Sequence, residues 1–140
     1  MPAPARPVSF HRMRIKLTTL FVDDQERARA FYTDVLGFQV KTDAAYGEDV
    51  RWLSVVSPDD PGGTELLLEK PDPHAQAFQR AVREAGKPAA ALTSEDCQAD
   101  FERLRAKGVS FTLEPTRMPY GGTDAVFDDG CGNLICLHED

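Results

Sequence analysis

The sequence predicts an α+β fold made of two tandem βαβββ modules, and three observations carry that expectation. Eight short runs alternate apolar and polar residues with the period of a strand, three longer stretches space their apolar residues as a helix does and stop at a glycine, and the order strand, helix, strand, strand, strand occurs twice. The halves also superpose nearly in register: Gly37 and Gly108 are 71 positions apart, Glu65 and Cys136 are 71 apart, and Leu17 and Ala89 are 72 apart. A repeat that long reads as duplication of a half-domain and not as a solenoid.

Taken in order, Arg14 to Val22 is the first strand, with Ile15, Leu17, Thr19 and Phe21 on one face. Asp23 and Asp24 offer an N-cap, and Ala28, Phe31, Tyr32, Val35 and Leu36 fall at helical spacing before Gly37. Strands follow over 38–42, 51–57 and 64–69, the second ended by a Pro/Gly/Asp turn cluster. A linker helix is expected at about 74–86, with its apolar residues, Phe78 among them, placed in the core. The second module repeats the order: strand 88–93, helix 97–107 ending at Gly108, then strands 109–113, 124–127 and 134–138. Module one thus spans about 14–70 and module two about 87–140, within a single domain of residues 13–140; residues 1–12, with prolines at 2, 4 and 7, are expected to be a disordered arm, and Met13 is an alternative start.

Composition narrows the function. A net charge of -7 opposes binding to nucleic acid or to an anionic membrane. No apolar run approaches the ~18 residues of a membrane span, and no export signal is seen. Cys97, Cys131 and Cys136 are an odd number without a CxxC pair, which points to a reducing cytoplasm and away from a disulfide framework or zinc knuckle. Cys131, in its glycine turn, is expected to be exposed. P-loop, GxGxxG, GxSxG and HExxH motifs are absent.

The run Phe31-Tyr32-x-x-x-Leu36-Gly37-Phe38 and the turn Asp128-Asp129-x-x-Gly132-Asn133, set in the repeated order of elements, resemble the vicinal oxygen chelate superfamily. That is the fold of glyoxalase I, extradiol dioxygenases and bleomycin-binding proteins. The resemblance covers about Arg14 to Glu139 and implies a curved mixed sheet around a cleft, with helices outside, and a homodimer. It also implies four metal-ligand positions, on the first and last strand of each module, which here carry Leu17, Glu65, Ala89 and Cys136.

Leu17 and Ala89 cannot coordinate a metal, so the expectation is a metal-free, cofactor-free protein that binds a small molecule in the cleft. The alternative is a lyase, isomerase or dioxygenase that uses a divalent metal held by Glu65 with Cys136 or His138, or Glu65 as a base. Glu65 facing a cleft lined by Leu17, Thr19, Phe21, Leu67, Ala89 and Ala91 would have its pKa raised by desolvation; a wet site or a hydrogen bond to a neighbour such as Thr19 would leave it an ordinary carboxylate. Cys136 and His138 share a strand face that would close the cleft. Trp52, Phe111 and Phe127 are expected on its walls, and Tyr120, in the Met118 to Gly122 loop, over its mouth.

Overall fold

The computed structural model describes residues 13–140, and the expected arm lies outside the described residues. Its elements run β1 (Leu17–Phe21), α1 (Gln25–Ala30), β2 (Gln39–Tyr46), β3 (Val50–Val56), β4 (Glu65–Glu69), α2 (Pro73–Glu84), β5 (Ala90–Thr93), α3 (Cys97–Ala106), β6 (Phe111–Arg117), β7 (Thr123–Asp128) and β8 (Leu134–Glu139). The strands form two four-stranded mixed sheets, ordered β1-β4-β3-β2 and β5-β8-β7-β6. In each, the first strand lies parallel to the last, and the rest are antiparallel. This is the predicted α+β architecture of two tandem βαβββ modules.

Local chemistry sets the helix starts. Asp24, Asp72 and Asp96 each accept a hydrogen bond from the backbone N–H three residues on, and so satisfy a donor that the first turn leaves free. After Ala30 the first helix widens into a π-helical turn over Phe31–Val35, closed by the Leu36 N–H on the Phe31 carbonyl. β2 continues to Tyr46, into a stretch where periodicity predicted nothing.

One apolar core serves both modules. Leu20, Val22, Tyr32, Leu53, Val55 and Leu68 from the first merge with Cys97, Leu104, Ala125, Phe127, Ile135 and Leu137 from the second. Phe31 meets Phe127 with ring centroids 6.0 Å apart. Because side chains alternate along a strand, the residues of opposite parity lie on faces turned away from this core, and those open faces are where a site can form.

The modules are joined by a buried polar knot. Asp129, 1% exposed, accepts four hydrogen bonds: from Tyr32 Oη (2.7 Å), Asn133 Nδ2 (2.9 Å) and the backbone N–H groups of Cys131 (2.7 Å) and Asn133 (3.0 Å). Asn133 Nδ2 and Gln79 Nε2 both reach the Phe21 carbonyl, so β1, α2 and the β7–β8 turn are fixed together. Gly132 has φ +98°, and a Cβ there would meet Gln79 Nε2 at 2.6 Å, so only glycine fits. Burial pushes the Asp129 carboxyl above its usual range, and the donors pull it part of the way back. The same desolvation corrects the expectation for Cys131, which is buried beneath this knot with its thiol pushed up to about 12.

Hydrogen-bond register corrects one pairing read from spacing alone. The Val22 N–H bonds the Glu69 carbonyl, and the Ser94 N–H bonds the His138 carbonyl. β1 and β5 are therefore offset by 72 positions (22 to 94) but β4 and β8 by only 69 (69 to 138). The counterpart of Cys136 is Leu67, and that of Glu65 is Leu134. The cause is the loop before the last strand: 57–64 in module one but 129–133 in module two, three residues shorter.

Tyr32→Phe removes one donor to a buried carboxylate and is expected to destabilise the fold by about 1.5–3 kcal/mol, the range for hydrogen bonds to charged groups. Urea unfolding followed by circular dichroism checks this, with the midpoint falling at constant slope.

Candidate functional site

Two polar clusters occupy the open faces, one in each module. In module one Glu65 is 7% exposed and bonds Ser54 Oγ at 2.7 Å and Lys16 Nζ at 3.2 Å. The Ser54 hydrogen bond is the largest influence on its carboxyl and, with Lys16, outweighs burial, so its pKa is lowered. This reverses the expectation of a desolvated base with raised pKa: a carboxylate already holding a hydroxyl and an ammonium is a weak proton acceptor. Thr19, the neighbour considered from the sequence, pairs instead with Leu67.

In module two the polar residues gather around Asp124, 5% exposed, on β7. Its Oδ1 lies 2.5 Å from His138 Nδ1, directly opposite in the β7–β8 ladder, and its Oδ2 accepts the Tyr120 hydroxyl. Burial would raise Asp124, but Tyr120 and His138 hold it below its ordinary value. Reciprocally, the bond to Asp124 Oδ1 raises His138, and the Tyr120 hydroxyl's own bond to Oδ2 pushes Tyr120 up to about 12. Cys136 shares this face, its thiol pushed up to about 11 by burial and by Asp124, so it is not an activated nucleophile. The loop closes tightly here: a Cβ on Gly122, φ +79°, would come within 2.8 Å of His138 Cε1.

Sequence reasoning singled out Cys136, His138 and Tyr120 but missed Asp124, which joins them. The signal was present, because a turn over 129–133 pairs 128 with 134 and so sets 124 opposite 138.

The other expected cleft residues divide. Leu17, Thr19 and Phe21 share the open-face parity of β1, as does Trp52 with Ser54 on β3, and Ala91 lies beside Cys136. Thr19, Phe21 and Ala89 line a cavity of about 260 Å³ with Leu134 and with Phe78 and Val82 of α2. Phe78 corrects a core assignment: it is 65% exposed, because α2 lies at the edge of the fold and buries none of its residues fully. Phe111 and Phe127 correct the opposite way. They pair across β6 and β7 on the helix-facing side, 5.7 Å apart, with Phe127 wholly buried, so neither borders the open face.

The residues do not fit a metal. With register applied, the four positions that the resemblance implied as ligands carry Leu17, Leu67, Ala89 and Cys136, a single donor. Among the described residues no three His, Cys, Asp or Glu side chains converge as an ion would require.

Fold and site together define a two-module chain of the vicinal oxygen chelate type whose open faces carry hydrogen-bonded polar clusters in place of a ligand cage. The family model for the Glyoxalase/Bleomycin resistance protein/Dioxygenase superfamily matches residues 14–137, and the chain belongs to that superfamily. It is 49% identical over 124 residues to the uncharacterized protein YurT of Bacillus subtilis (strain 168), covering 88% of this chain and 96% of that protein. Among solved structures it resembles UcmS2 (37% identity, TM-score 0.77, 91% of this chain and 98% of the other). It also resembles TnmS3, an antibiotic binding protein from Streptomyces sp. CB03234 (29% identity, TM-score 0.72, 92% and 97%).

The Asp124–His138 pair has a defined pH window. His138, raised in the folded state, contributes stability fully below its unfolded pKa of about 6.5 and loses it as pH rises through the folded value; Asp124, lowered, contributes above about 4 and loses it as pH falls. The stability difference between wild type and His138→Gln is therefore expected to be largest between about pH 4 and 6.5 and to shrink on both sides. Chemical denaturation across pH measures it; a difference that grows above pH 7 would contradict the pairing.

Proposed function

We propose that this chain binds a small organic molecule against the open faces of its sheets, with no resident metal, as a cytoplasmic homodimer. The observation that carries the reading is the donor set. A scaffold whose metal-bearing relatives need several ligands presents Leu17, Leu67, Ala89 and one raised-pKa thiol at those positions. What remains is a surface of small and apolar side chains, Thr19, Phe21, Ala89 and Ala91, with polar groups at either end, which is the composition of a binding wall. The likeness to TnmS3, an antibiotic binding protein, supports a ligand of similar kind. A second copy placed against the exposed Ala89, Ala91 and Thr19 would enclose such a ligand. Three cysteines without a disulfide favour a reducing compartment.

An enzyme of glyoxalase or dioxygenase type has less support, since Glu65 is held as a weakly basic carboxylate by Ser54 and Lys16 and, among the described residues, no ligand set replaces the missing donors.

Protein prepared without chelator or nickel-affinity steps is expected to hold far less than one metal per chain by elemental analysis, and its melting temperature should not move with EDTA. Stoichiometric metal, lost in Cys136→Ser or Glu65→Ala, would overturn the metal-free reading. In a thermal-shift screen of aromatic and antibiotic-like compounds, a ligand at a hundred times its Kd should stabilise the fold by about 2.7 kcal/mol. Light scattering should give twice the chain mass.

A further inference from the structure

His138 Nδ1 is committed to the buried Asp124, which leaves Nε2 for other partners, and among the described residues Nε2 has one hydrogen-bond partner, Asp140 Oδ1 at 3.0 Å. Asp140 is 96% exposed, so the contact is held by no packing and is open to exchange. Beside it on the same face lie small or apolar side chains: Thr93 next to His138, Ala91 next to Cys136, and Val126 across from Cys136. The Tyr120 ring stands 6.4 Å from the imidazole, tilted by 31°, and its hydroxyl is fixed on Asp124. The arrangement is a hydrogen-bond donor fixed in direction by a buried carboxylate, flanked by an aromatic ring and by the exposed Ala91 and Thr93.

We propose that His138 Nε2 is an anchor for the acidic group of an organic anion with an apolar body, a carboxylate or phenolate, and that the Asp140 side chain occupies that position until the ligand displaces it. The inference rests on the small-molecule reading above and names the ligand class. The Asp124 partnership serves it in two ways. It orients the ring, and because Nδ1 and Nε2 each face a carboxylate oxygen, both nitrogens carry a proton and Nε2–H is a charged donor; a ring with its single proton on Nδ1 would offer only a lone pair there. The ionisable groups facing the ring are Asp124 from β7, Tyr120 from the preceding loop, Cys136 from β8 and Asp140. Asp124 is already satisfied by Tyr120, and Asp140 is the group to be displaced. An incoming carboxylate therefore replaces one anion with another.

A matched pair of probes tests this: 2-naphthoate and its neutral amide, titrated by calorimetry into the full chain, with the His138 Cε1–H resonance followed by NMR. Naphthoate is expected to bind about tenfold or more tightly than the amide at pH 6 and to shift the His138 resonance. The preference should vanish in His138→Gln, while Asp140→Asn, which removes the competitor, should tighten naphthoate several-fold. Equal binding of both probes would overturn the anchor and leave the binding reading standing. Naphthoate binding that ignores His138→Gln and Asp140→Asn would place the anion elsewhere and overturn it too. If neither probe binds at millimolar concentration, the assigned ligand class is wrong, whatever neutral compounds the thermal-shift screen finds.

Discussion

The carboxylate of Asp129 is the constraint on which the two-module arrangement depends. An ionisable group with 1% exposure persists only if every lone pair is used, and here the donors come from both halves of the chain. Tyr32 supplies one from module one; Asn133 and the turn backbone supply the rest from module two. The turn that precedes β8 is thereby clamped to the helix that follows β1, and the open faces take their relative placement from that clamp. Apolar contact such as Phe31 on Phe127 adds area, but apolar packing is non-directional, and the polar knot fixes one arrangement.

The open faces show how neighbours decide what a residue type can do. Glu65 and Asp124 are buried to similar degrees, yet Glu65 is closed off by a serine and a lysine, whereas Asp124 orients an imidazole whose other nitrogen reaches outward. Chemical potential on this scaffold has therefore moved from the carboxylate expected to carry it to the hairpin. Cys136, the last donor at a ligand position, is kept protonated by burial and by Asp124.

The architecture was legible from the chain because alternation, helical spacing and capping agree, and a sequence consistent at each level leaves little room for another fold. What failed was assignment to faces. Phe127 alternates with Asp124, Val126 and Asp128, and those aspartates already marked the other face as the outward one, so its burial could have been read. Phe78 had the right spacing for a core residue, but spacing does not show how closely a helix sits on its sheet, and Phe78 faces β1 across an open cavity and not a packed layer. The pairing of Glu65 with Cys136 was wrong by two residues, because equal distance along the chain mixed the offset of the strands with a loop length that differs between halves. Hydrogen bonds between strands measure that; sequence spacing does not.

The π-helical turn at Phe31–Val35 has a consequence of its own. An extra residue in that turn lets two consecutive side chains be used at once: Phe31 lies against Phe127, and Tyr32 reaches Asp129. In an unbroken α-helix, neighbours point about 100° apart and only one of them would face module two squarely. The single residue thus acts as a gear tooth. Removing it would turn everything downstream, through Leu36 and Phe38 into β2, by about one residue's rotation relative to the second module, so the seam between the halves is set by a count of residues as much as by their chemistry.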